Sequence, residues 1–231
     1  MPPRLKPWKT RKSVSKLHIT KPRGRSVQIG SGSWGRVFVG RMEFTDGSRH
    51  RVAIKVFHSM ISDKLAKRYD GTILDLRKAG VKIPKMGMYK MNGRWVQVSQ
   101  LFGSVEKGSK LGVGLKRRLT DRIETADTLT RVVNAGFDAP YDTVDSFRIR
   151  EGVLPIDIDL IVQSGKSKKQ MPERVEELAA RLKKIVEGFP PKDRASIYNT
   201  ALKTIKPEWR NELASKLKSK EVDPIDTMRV E

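Results

Sequence analysis

Three glycines in Gly30-Ser31-Gly32-Ser33-Trp34-Gly35-Arg36-Val37 are spaced G-x-G-x-x-G-x-V, and Val52-Ala53-Ile54-Lys55 follows with one lysine on an apolar run. Glycines let a backbone approach a ligand closely, and a lysine ammonium supplies a point charge for phosphate oxygens. Together they read as a grip on nucleotide phosphates. In a dinucleotide fold such glycines open a helix, and an acid about twenty residues on holds the ribose. Here Val37-Phe38-Val39 is strand-forming, and the residue twenty past Gly35 is Lys55. The pattern therefore predicts a hairpin folded over phosphates. The competing reading is a hairpin whose glycines serve its turn alone.

Acids form the second group. Val153-Leu154-Pro155-Ile156-Asp157 is an apolar strand ending in an acid, and Asp159 follows two residues on. Residues two apart on a strand share a side, and Mg2+ takes carboxylate and phosphate oxygens. A salt-bridged pair is the alternative. Gly136-Phe137-Asp138-Ala139-Pro140-Tyr141-Asp142-Thr143-Val144-Asp145 brings three more acids into one loop. Such a loop can supply a base or form an ordinary Asx-rich turn. With no cysteine and three scattered histidines (His18, His50, His58), disulfides, thiolate zinc sites and thiol nucleophiles are excluded, and a Ser-His-Asp triad is not expected.

The elements that must position these groups follow from pattern. Val27-Gln28-Ile29, residues 36–44 and residues 51–57 are predicted strands, with Asp46-Gly47 as a hairpin turn. Ile61, Leu65, Tyr69, Ile73 and Leu76 predict a helix over 61–79, with Gly80 as its C-terminal cap. Residues 85–89 and 95–102 are two further strands around Asn92-Gly93. A helix is expected over 115–133, then a hairpin around Arg150-Glu151-Gly152, and three helices over 172–187, 191–205 and 207–218.

The chain has 231 residues and a net charge of +22, which implies an anionic partner. Residues 1–26 carry Lys and Arg repeatedly, and no acid precedes Glu43. They read as a flexible basic arm able to neutralise phosphates, where Trp8 could stack on a base. No run of eighteen apolar residues predicts a membrane span, and no secretory h-region opens the sequence. The expectation is a soluble, cytoplasmic protein, acting in its own cell or, as a secreted effector, in a host.

The glycine spacing and the Val-Ala-Ile-Lys strand resemble the protein-kinase-like fold over residues 27–103. The resemblance implies an α+β, bilobal protein: a five-stranded antiparallel sheet with one helix, then a reduced, mostly helical lobe over 104–231. It implies ATP held by Gly30, Ser31, Gly32, Ser33, Trp34, Gly35, Val37 and Lys55, with Ala53 on the adenine and a hinge at Gln100, Leu101, Phe102 and Gly103. Lys55 would hold the α- and β-phosphates. Its acidic partner would be Asp70, with Asp75 as fallback, since that helix has no glutamate. Asp157 and Asp159 would hold Mg2+, with Ile158 and Asp159 replacing the Phe and Gly of the family's metal motif.

The loop at 136–145 is similar to that of small kinases secreted by some bacterial pathogens, including a Pro-Ile-Asp metal strand. On that alignment Asp138 is the base and Thr143 replaces the metal-binding Asn. A shorter hairpin puts Asp145 at the Asn position, and Asp142 suits either role. No activation-loop anchor follows, and Lys166, Lys168 and Lys169 would face substrate. The implied activity is transfer of the γ-phosphate to a protein Ser or Thr hydroxyl. The alternatives are a pseudokinase acting as a binding module, and a nucleic-acid or other polyanion binder on the same scaffold.

Overall fold

Alternating β-formers build the first half of the chain. A computed structural model describes residues 14–20, 26–101, 119–139, 147–149, 152–154, 161 and 165–218. Its first seven elements are β1 (Val14–Ile19), β2 (Gln28–Gly32), β3 (Gly35–Phe44), β4 (Arg49–Phe57), α1 (Asp63–Lys78), β5 (Met86–Met91) and β6 (Arg94–Gln100). All strand pairs are antiparallel, in the order β1-β3-β4-β6-β5. β2 and β1 lie end to end along one edge of β3, against residues 35–38 and 40–44 respectively.

The sheet has six strands rather than five, and Val14–Ile19 is one of them rather than part of a flexible arm. A bulge between Val14 and Lys16 explains the miss. It puts Val14, Leu17 and Ile19 against one apolar cluster, a 14/17/19 spacing that hides strand alternation. The two ends of the sheet curl toward each other: Val14 and Leu17 of β1 line one pocket with Tyr89 of β5 and Trp95 of β6.

Directly opposed residues share a face, so the register sorts the sheet into two. One face buries Met42, Phe44, Val52, Ile54, Val96 and Val98 inside the curl. The other carries Val37, Val39, Ala53, Lys55, Phe57, Gln97 and Met88. Helix α1 covers part of that second face: Tyr69 packs its ring on Phe57 at 5.8 Å, and Ile73 and Leu76 join Met88 in a second cluster.

Helix α1 begins at Ser62, whose side chain accepts the Leu65 N–H at 3.2 Å. It ends at Gly80, with φ +79°; the Gly80 and Val81 amides donate to Arg77 and Leu76 carbonyls. Burial of Val81 against Leu76 completes this left-handed cap. Helix α2 (Leu119–Asn134) ends in the same way at Gly136 (φ +92°), with Phe137 buried beside Val132. Val132, Phe137 and Ile161 belong to the same cluster as α1, so this cluster joins the sheet to the helical half.

The remaining elements are the β7–β8 hairpin (Phe147–Ile149 with Gly152–Leu154), α3 (Met171–Val186), α4 (Pro191–Thr204), a 3-10 turn (Pro207–Trp209) and α5 (Arg210–Lys218). Their apolar stripes, including Val175, Leu178, Leu182, Ile197 and Leu213, close a third cluster on α2. The protein is α+β, with a curled antiparallel sheet and five α-helices among the described residues. None of those helices is long and apolar enough to cross a membrane.

Candidate functional site

The glycine hairpin is strand on both sides. Gly32 pairs with Gly35, and Ser33-Trp34 forms the two-residue tip. None of the three glycines has the positive φ that favours glycine. Turn geometry therefore does not account for them. Gly35 has a packing reason, because a Cβ there would lie 2.3 Å from the Val56 carbonyl oxygen. Gly32 has none: no described atom lies within 4 Å of where its Cβ would be. Gly30 would meet only Val37, at 3.8 Å. Ser31, Gly32, Ser33 and Trp34 are exposed, so bare backbone is presented at the tip.

The tip is fastened from below by His58. Its backbone N–H donates to the Trp34 carbonyl at 3.1 Å, and its Nε2 lies 3.2 Å from the Gly32 carbonyl oxygen. Sequence reasoning missed this residue. Counting register from Gly35 opposite Phe57 puts position 58 across from 34, which is the signal that finds it.

Lys55 lies directly across from Val37 on β3 and from Gln97 on β6. Its ammonium is 5.8 Å from the Phe57 ring centroid, on the face that α1 packs against. Ala53 is buried on the same face, opposite Val39 and Ser99. Asp70 on α1 is half-buried, and its Oδ1 accepts the Met88 N–H of β5 at 3.1 Å. Asp75 pairs with Lys166 at 3.0 Å. At the expected hinge, the Gln100 N–H donates to the Lys85 carbonyl at 2.7 Å. Gln100 shares its face with Val52 rather than with Ala53. Leu101 is half-buried, and Phe102 lies outside the described residues.

Asp138 follows the left-handed cap of α2. Buried Phe137 and Ala139 flank it, and its Oδ1 is buried with no hydrogen-bond partner among the described residues. An unsatisfied carboxylate oxygen is costly in a fold, and such atoms occur at catalytic or ion-binding positions. Ser167 N–H donates to the Gly136 carbonyl at 2.9 Å, Lys166 Nζ sits 5.7 Å from the Phe137 ring centroid, and Ile161 packs in the cluster that holds Phe137. On the other side β8 lies beside α2. Of the chain on either side of the paired acids, Ile161 is thus tied to the cluster that holds Phe137, and β8 lies along α2. Asp142, Asp145, Asp157 and Asp159 themselves lie outside the described residues, as do Thr143 and Trp8. Among the described residues no group of three His, Asp or Glu side chains could hold a metal.

No protein-family model matches this chain, and no curated protein matches it. The functional reading accordingly rests on the residues and their geometry.

Proposed function

We propose that the chain is a minimal ATP- and Mg2+-dependent kinase of bilobal, protein-kinase-like build, transferring the γ-phosphate to a protein Ser or Thr hydroxyl. One observation carries this reading: an exposed glycine hairpin, with a glycine at Gly32 that packing does not require, stands on the strand paired through Val37 with Lys55. Backbone amides of the hairpin and the Lys55 ammonium would hold the phosphates, and Ala53 and Val37 would flank the base. The fit is supported by the open space around Gly32, which a ligand can occupy, and by the anchoring of the hairpin tip through His58.

Asp138 would take the hydroxyl proton, and its unsatisfied Oδ1 supports that role. When bound at Asp157, Asp159 and Asp145, Mg2+ would offset the charge of the transferring phosphate. Orienting nucleotide against hydroxyl and holding charge nearby is most of what such a transfer requires of a protein.

The test is γ-phosphate transfer from labelled ATP to the protein itself and to a panel of protein substrates. Wild type transfers label. Lys55→Ala and Asp157→Ala stay folded and do not. Absence of transfer by wild type across the panel contradicts the enzyme.

A second reading is a nucleotide-binding module without catalysis, favoured by the lack of a glutamate in α1 and of a histidine just before Asp138. Stabilisation by ATP and Mg2+ without any transfer distinguishes this module from the kinase.

A further inference from the structure

Beyond Ala53 the same face of the sheet changes character. The next row across β1, β3 and β4 is His18, Arg41 and Arg51, each directly opposed to its neighbour. The row after it is Lys16, Glu43 and Arg49, where Glu43 and Arg49 pair at 3.4 Å. Arg41 and Arg51 are exposed, and no acid among the described residues pairs with either. Like charges directly opposed on a sheet are destabilising. The fold therefore keeps two like-charged residues directly opposed, Arg41 on β3, which neighbours β1, and Arg51 on β4.

We infer that this face of β1, β3 and β4 binds the phosphodiester backbone of a nucleic acid, with Arg41 and Arg51 as its central phosphate contacts. Guanidinium groups suit phosphate through paired, charge-assisted hydrogen bonds. An extended polyanion also fits the sequence on either side of β1. Residues 1–13 and 21–25 carry Lys and Arg with no acid among them, so the basic tract continues in both directions from the strand. A short acidic peptide would neutralise only a few of these charges. The inference does not depend on the kinase reading, because Arg41 and Arg51 lie outside the residues assigned to ATP.

The test is fluorescence anisotropy on the full chain with a labelled 20-nucleotide single-stranded RNA, repeated with a 20-base-pair duplex DNA, over a salt series. Arg41→Gln/Arg51→Gln is compared with wild type and with Lys192→Gln/Lys203→Gln, which removes the same charge from exposed positions of α4. Two phosphate contacts on a single strand contribute a salt slope of about 1.4, or about 25-fold in affinity at 0.1 M salt. The arginine variant should lose that much on at least one of the two probes, and the lysine variant much less. Because a like-charge pair is removed, the arginine variant should melt no lower than wild type. Its thermal shift with ATP should persist, which keeps failure here distinct from failure of the nucleotide site. Equal losses in the two variants would mean bulk charge and would overturn the inference. So would unchanged binding in the arginine variant, no binding of either probe by wild type, or full competition by poly-glutamate at equal charge.

Discussion

Replacing Gly32 and Gly35 by alanine separates a glycine kept for a ligand from one kept for packing. At Gly35 the new Cβ would sit 2.3 Å from the Val56 carbonyl oxygen and 3.0 Å from the Phe57 Cα, both backbone atoms of β4. β3 and β4 must separate locally, at a cost of about 1–3 kcal/mol. For a chain of this size each kcal/mol moves Tm by about 2–4 °C, so Gly35→Ala should melt about 2–12 °C lower. At Gly32 the Cβ meets nothing described within 4 Å and the backbone is not left-handed. Gly32→Ala should leave Tm unchanged or raise it slightly, by up to about 1 kcal/mol through the less free unfolded chain. The same Cβ occupies the space where phosphate would approach.

Losing one hydrogen bond to a charged group costs about 1.5–3 kcal/mol, so ATP affinity should fall at least about tenfold. The assay is a thermal melt with and without ATP and Mg2+. Wild type at a hundredfold excess over Kd should gain about 2.7 kcal/mol. Gly32→Ala should keep the apo Tm and show a much smaller shift at the same ATP concentration. A fall in the apo Tm of Gly32→Ala as large as that of Gly35→Ala would refute the packing argument. An undiminished ATP shift in a well-folded Gly32→Ala would refute the phosphate role.

Asp138→Asn removes a carboxylate whose Oδ1 is buried without a hydrogen-bond partner among the described residues. Equilibrium denaturation should show stability equal to or above wild type, while transfer falls about 10²–10⁴-fold with loss of the base; a destabilised variant argues against this assignment. His58→Ala deletes the 3.2 Å contact to Gly32 and keeps the backbone bond to Trp34. ATP affinity, measured by titration calorimetry, should drop about fivefold for about 1 kcal/mol of lost ordering, with Tm almost unmoved. Asp63 is held below the usual carboxylate range, first by the Trp95 indole N–H (2.6 Å) and then by Lys90 (3.6 Å). Its folded pKa is depressed, so this contribution is present above the unfolded value of 3.8 and is lost as pH falls through the folded pKa. Urea midpoints measured between pH 2 and 6 should fall less steeply on acidification in Trp95→Phe than in wild type. An identical pH dependence would contradict the coupling.

Local backbone chemistry was the part of the fold most legible in the sequence. Asn92 and Gly93 both have positive φ, the pairing that an Asn-Gly hairpin turn demands, and Asp46-Gly47 marks the other tight turn. Gly80 ends α1 as its sequence suggests. β1 was not legible, because its bulge breaks the two-residue period that marks a strand. Gly136 reads as part of a loop yet closes α2, since its role depends on Phe137 finding α1 across the fold.

At the candidate site, the placement of Lys55 beside the strand of the glycine hairpin was readable because both lie on adjacent strands with strong local signals. The contacts of Asp70 with a β5 amide and of Asp75 with Lys166 were not, because only tertiary packing brings those groups near α1. The same is true of the bond from the Gln100 amide to the Lys85 carbonyl, at the expected hinge. The row of Arg41 and Arg51 needs the register of β3 on β4, which composition alone does not give.

The central claim is that the glycine hairpin and Lys55 form one nucleotide site, and equilibrium dialysis with labelled ATP and Mg2+ tests it most directly. Wild type should bind one ATP per chain. Lys55→Ala, with an unchanged circular dichroism spectrum, should bind at least about tenfold more weakly for the loss of a charge-assisted phosphate contact. No binding by wild type at millimolar ATP, or equal affinity in the two proteins, would contradict it.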